Sequence, residues 1–115
     1  MSKRSLSLLI EDILESLDKI GCYTEGLTQD SFERDEKTSD AVVRNLEIIG
    51  EAAARLPENF TSLHPEIEWA KIKGLRNRIV HEYFGVDLLI IWQIIEKDLP
   101  EFKKSLMAIR LELKE

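Results

Sequence analysis

Residues 88 to 95 read Leu88-Leu89-Ile90-Ile91-Trp92-Gln93-Ile94-Ile95, and seven of the eight are apolar. Periodicity alone does not tell a buried strand from a buried helix in so short a run. The flanks decide. Asp87 offers an N-cap oxygen, and Glu96-Lys97-Asp98 continues without a turn signal, which predicts a helix of about three turns. With this stretch helical, the chain reads as helix from end to end. Such a helix has no polar face to show water, so in a small domain part of its surface is expected to meet another chain. A homodimer is predicted on that ground.

Downstream, Phe102, Leu106, Ile109 and Leu113 recur at helical spacing after Pro100, a residue suited to a first helical turn. Upstream, Leu75, Ile79 and Tyr83 (or Phe84) predict a short helix ended by Gly85. Between Pro57 and Gly74 the pattern breaks into pieces, with Pro65 as a helix start and Trp69 and Ile72 facing inward. Val42, Leu46, Ile49, Ala53 and Leu56 form a second long stripe, with Ser39 or Asp40 as N-cap and Pro57 as terminator. Gly50 inside that helix costs about 1 kcal/mol relative to alanine. Beside Ala52, Ala53 and Ala54 it admits a closely packed neighbour, while Glu51 reads as solvated. Leu6, Ile10, Ile13, Leu17 and Ile20 make the first stripe, with Gly21 as its stop. The acidic connection that follows carries one apolar residue, Phe32, able to pin a short turn. No repeat or linker divides the chain, so residues 1–115 are predicted to form one all-α domain.

The chain has 115 residues, 43% hydrophobic and 33% charged, a balance that excludes disordered, collagenous and membrane classes. Its single cysteine, Cys22, precludes an intrachain disulfide and thiolate zinc sites, which suits a reducing cytoplasm. Glu11 and Asp12 cut short the only apolar run near the N-terminus, so neither a signal peptide nor a membrane anchor is expected.

The net charge is −6, which as an average disfavours a phosphate-backbone binder. The average conceals a patch. Lys71, Lys73, Arg76 and Arg78 place four positive charges and no negative one in eight residues, leaving −10 on the other 107. This patch runs into Arg76-Asn77-Arg78-Ile79-Val80-His81-Glu82-Tyr83. On a helix, Asn77, Arg78 and His81 share a face, near a C-terminus whose dipole favours protonated imidazole. Arg76 lies off that face, so Arg76 and His81 converge only if two copies face each other across a dimer axis. An imidazole titrating near neutrality beside guanidinium groups suits metal-free cleavage of RNA. One imidazole takes the 2′-hydroxyl proton, a second protonates the leaving 5′-oxygen, and arginine stabilises the phosphate charge. On spacing alone, an arginine and a histidine five apart on a basic helix are more often a solvated face. His64 and Glu66 flank a proline and make no convincing metal site; Trp69 and Trp92 read as core.

Arg76-Asn77-x-x-x-His81-x-Tyr83 resembles the signature of HEPN-domain ribonucleases, and more narrowly of HepT-like toxins paired with MntA-type minimal nucleotidyltransferase antitoxins. The similarity continues through Asn45-Leu46-Glu47-Ile48-Ile49-Gly50-Glu51-Ala52, Pro65-Glu66-Ile67-Glu68-Trp69, Phe84-Gly85-Val86-Asp87 and Asp98-Leu99-Pro100, which together span nearly the whole chain. The resemblance implies an up-and-down four- to five-helix bundle that dimerises around a composite active site. It implies a metal- and cofactor-independent endoribonuclease with Arg76 and His81 catalytic and Asn77 assisting. Lys73 and Arg78 are the further candidates for RNA phosphate; DNA is not an expected substrate. It also implies that the antitoxin transfers AMP from ATP to Tyr83, placing negative charge beside the arginines. A non-catalytic helical module that partners and regulates a nucleotidyltransferase is the competing reading, and a dimer that binds RNA without cutting it a third.

Overall fold

A computed structural model describes residues 4–81 and 85–114 and shows an all-α protein. Its frame is three long helical rods. Helix α1 (Leu6–Thr24) packs chiefly on α3 (Glu36–Arg55) and also on α8 (Leu99–Lys114). The α1–α8 pair is antiparallel, since Arg110 bonds Glu11 at 3.0 Å and Lys103 reaches Asp18 at 2.7 Å. Ile10, Ile13, Leu17 and Ile20 of α1 and Val42, Leu46, Ile49 and Ala53 of α3 are all buried, as the two stripes predict. On α8 the stripe is shorter than expected: Phe102, Leu106 and Ile109 are buried, but Leu113 is half exposed beyond the end of the core.

Helix ends depart from the sequence expectation where a side chain outcompetes a glycine or an apparent cap. Gly21 does not stop α1. The helix runs on to Thr24, whose hydroxyl donates to the Ile20 carbonyl, and the chain turns at Gly26 with φ 78°. The N-cap of α3 is Asp35 rather than Ser39 or Asp40; its carboxylate accepts from the Thr38 amide at 3.0 Å and hydroxyl at 2.7 Å. Ser39 is then inside the first turn, bonded to the Glu36 carbonyl. The acidic connection forms α2 (Gln29–Arg34), closed by a reciprocal Thr28–Ser31 capping box and pinned by fully buried Phe32 against Trp92.

The short pieces between α3 and α8 position the candidate site. After α4 (Glu58–Ser62), Pro65 lies in a turn and starts no helix; α5 (Trp69–Lys73) begins four residues later, with the Trp69 indole donating to the His64 carbonyl. Helix α6 (Leu75–Ile79) is only five residues long. It does not reach Gly85. Val80–His81 (β1) instead pairs antiparallel with Gly85–Val86 (β2), and Gly85 takes φ 73°, a turn conformation that glycine tolerates without strain. The apolar run is helical, as its flanks predict: α7 (Leu88–Gln93) starts at Asp87, whose side chain accepts from the Ile90 amide.

Helix α7 passes into a π turn (Ile94–Asp98) and so into α8 without a break. Pro100 therefore lies within a continuous helical path instead of starting a new helix. Proline has no amide hydrogen, and its ring crowds the carbonyl four residues earlier. A wider turn just ahead of it, with the Leu99 amide reaching back to the Ile94 carbonyl, relieves that conflict.

Candidate active site

Two short helices carry the basic patch, and core anchors fix how they lie. Trp69 and Ile72 hold α5, and Leu75 and Ile79 hold α6. The backbone of α5 crosses α3 at Gly50. A β-carbon there would meet the Ile72 and Lys73 carbonyls at 3.4 and 3.6 Å, ordinary contact distances, so the two helices lie close but the crossing has room for one methyl group. Glu51 is exposed.

The crossing leaves a groove lined by Glu47, Gly50, Glu51 and Ala54 of α3 and by Lys73, Arg76 and Asn77 opposite. The structure thus brings three of the sequence-predicted residues into one place. Among the described residues, Lys73, Arg76 and Asn77 make no side-chain hydrogen bond or ion pair. The other two members of the patch are engaged. Lys71 pairs with Glu68 at 3.2 Å, and the Arg78 Nη2 donates to Asp98 Oδ2 at 2.9 Å. Arg78 projects from the flank of α6 opposite Arg76, about 200° around the axis, and stands outside the groove.

His81 is in β1 and not on α6, so the helical face shared with Asn77 and Arg78, and the dipole acting on its imidazole, do not apply. The His81 imidazole and the whole of Tyr83 lie outside the described residues. Sequence periodicity did not show that Glu47 and Glu51 form the acidic wall of the groove; their i, i+4 spacing on the helix that Gly50 opens was the available signal.

A second, apolar groove lies next to the first and shares Glu47 with it. Val43, Val86 and Leu88 line it, with Ser39, Asp40 and Arg44 at its margin. Leu89, 45% exposed, extends the apolar surface along α7, whereas Ile91, Trp92 and Ile94 are buried in the protein's own core. Among the described residues no helix is long and apolar enough to cross a membrane, and no group of three His, Cys, Asp or Glu side chains is placed to hold a metal ion.

Comparison with known proteins finds relatives that match along most of the chain. The family model for "Ribonuclease HepT-like" matches residues 13–109. A probable ribonuclease HepT of Thermococcus cleftensis is 40% identical over 108 residues, covering 94% of this chain and 98% of the relative. A putative RNase of Methanocaldococcus jannaschii is 38% identical over 95% of this chain and 90% of its own length. One from Caldanaerobacter subterraneus is 39% identical over 87% of this chain and 89% of its own. No solved structure matches. With a family model spanning most of the helical frame and relatives similar along nearly their full length, the chain belongs to the HepT-like ribonuclease family.

Proposed function

We propose that this protein is an endoribonuclease toxin that cuts RNA in the cytoplasm without a metal, at a site composed across a homodimer. The carrying observation is the groove in which Lys73, Arg76 and Asn77 stand unpaired among the described residues, the latter two in the motif that runs from Arg76 to Tyr83. Arg76 and Lys73 hold the scissile phosphate, and Asn77 hydrogen-bonds it. His81 takes the proton from the ribose 2′-hydroxyl, whose oxygen attacks the phosphorus. The bond to the 5′-oxygen breaks, and that oxygen takes a proton from the second copy's imidazole. Arg76 stabilises the charge on the phosphorane-like transition state. The products are a 2′,3′-cyclic phosphate, open to later hydrolysis to a 3′-phosphate, and a 5′-hydroxyl. DNA, with no 2′-hydroxyl, is not cut by this route.

The apolar groove of Val43, Val86 and Leu88 with exposed Leu89 supports the dimer, because it adjoins the cationic groove and a second copy seated there brings its own groove alongside. An MntA-type nucleotidyltransferase neutralises the toxin: the Tyr83 oxygen attacks the α-phosphate of ATP, pyrophosphate leaves, and the new phosphate occupies the cationic groove.

Purified protein is expected to cut RNA in EDTA and leave cyclic or 3′-phosphate ends, with His81→Ala inert. Cleavage unchanged in His81→Ala overturns the assigned roles. Toxicity on expression should require both Arg76 and His81; harmless expression without any partner favours the regulatory module instead. Incubation with the nucleotidyltransferase and ATP should add mass in AMP units, and a Tyr83→Phe chain labelled equally well places the modification elsewhere.

A further inference from the structure

We propose that Arg78 and Asp98 form a positioning pair that sets the roll of α6, and through it the aim of Arg76 and Asn77; this rests on the ribonuclease reading of the groove. A helix of five residues has too few internal hydrogen bonds to stand alone, so its orientation comes from what it touches. It packs on α3, α5 and α7. Leu75 and Ile79, both fully buried, fix its depth. The Asp87 amide bonds the Ile79 carbonyl at 2.8 Å and ties its C-terminal end to the start of α7. Leu75 and Ile79, four apart on one face, turn that face to the core, and the ion pair from Arg78 to Asp98, twenty residues away, adds a polar tie on the flank that narrows the roll that remains.

The Arg78 guanidinium is poorly disposed toward RNA. Its side chain is two-thirds buried, its Nη1 is buried with no hydrogen-bond partner among the described residues, and its Nη2 faces a carboxylate that repels phosphate. An unpartnered buried donor carries a free-energy cost, so the group is held there by the pair and its packing. Arg76 stands on the opposite flank, open to the groove. One arginine is thus committed to structure so that its neighbour two residues away can be aimed at substrate. Asp98 closes the π turn, and the extra residue in that turn changes the direction in which Asp98 leaves the helix. The turn that accommodates Pro100 therefore also delivers the carboxylate to α6.

Steady-state cleavage and RNA binding by Arg78→Gln, Asp98→Asn and the double variant test the pair. Each single variant should lower kcat by at least about tenfold, with KM and the salt dependence of RNA binding as in the wild type. The double variant should cost no more than the worse single one. Strictly additive losses overturn the pair. So does a phosphate-ligand signature, in which Arg78→Gln raises KM and lowers the log–log salt slope by about one while Asp98→Asn tightens binding. If Asp98→Asn does not fold, Asp98→Glu keeps the charge with a longer reach and should still lower kcat with KM unchanged; full activity of that folded variant overturns the proposal. A wild-type protein that cuts no RNA defeats the ribonuclease reading instead. The pair is then read from the Arg76 and Asn77 amide resonances, which shift in the folded variant if the pair sets α6 and stay in place if it does not.

Discussion

The three-rod frame and the segment from Pro65 to Asp87 are built on different terms. In α1, α3 and α8 an apolar stripe faces the core, and each rod is long enough for its periodicity to fix its orientation. In the segment no helix exceeds five residues, and the chain turns at Pro65, Gly74 and Gly85. Orientation there is set by single anchors: the Trp69 indole on the His64 carbonyl, buried Leu75 and Ile79, and Arg78 on Asp98. The frame spends its residues on burial. The segment leaves Lys73, Arg76 and Asn77 without side-chain partners among the described residues, in the groove proposed as the active site.

The sharpest way to break this comparison is a pair of truncations, one in each region. Arg76→Ala should cost cleavage at least about 100-fold, as loss of one charge-stabilising donor does, while leaving the melting temperature within a degree or two. Leu46→Ala, in the fully buried stripe of α3, should cost about 2–5 kcal/mol of stability, with kcat per folded molecule little changed. Activity assays and thermal melts on the same samples separate the two. An Arg76→Ala protein that loses stability as Leu46→Ala does would erase the distinction.

Gly50 is the seam where frame and segment meet, and it sharpens the comparison with a smaller effect. A β-carbon there fits against the Ile72 and Lys73 carbonyls, so Gly50→Ala should fold normally and gain up to about 1 kcal/mol of helix propensity. The branches of Gly50→Val have no room against the same carbonyls. That variant should lose about 1–3 kcal/mol and displace α5, weakening RNA binding through Lys73. Equal stability of the two variants would mean that α5 is not seated on α3 as described.

Much of the frame was legible because periodicity averages over many residues. The stripes of α1 and α3 and the helical character of residues 88 to 95 all follow from spacing and flanks. What spacing missed has local causes. Gly21 resembles a stop, but a glycine ends a helix only where the chain needs a positive φ, and that need falls at Gly26. Ser39 and Asp40 resemble caps, yet Asp35 reaches the free amide first through Thr38. Pro100 resembles a start, but a π turn carries the helix past it. In the site, composition marked the patch but could not divide it. Whether a basic side chain is free or engaged depends on Glu68 and Asp98, and Asp98 comes from the π turn, twenty residues from Arg78. The helix predicted through His81 ends at Ile79 for a similar reason: the Ile79 carbonyl bonds the distant Asp87 amide, and Val80–His81 pairs with Gly85–Val86 instead of continuing the helix.

The smallest effect concerns the frame alone and depends on pH. Hydrogen bonds from the Thr38 hydroxyl and then the Thr38 amide, helped by Lys37, hold the Asp35 carboxyl below the usual carboxylate range. A carboxyl whose folded pKa lies below its unfolded value of about 3.9 binds fewer protons folded than unfolded. Its stabilisation is complete above that unfolded value and is lost as pH falls through the lower, folded one. At neutral pH, Asp35→Ala should therefore lower the melting temperature by a few degrees, since the first turn of α3 loses its cap. Melts repeated at decreasing pH should show the difference between wild type and variant shrinking once the carboxyl protonates. RNA cleavage at neutral pH and low temperature should be unchanged, because Asp35 lies outside both grooves. A difference that grows toward acid pH would mean that the carboxylate is not the acceptor that caps α3.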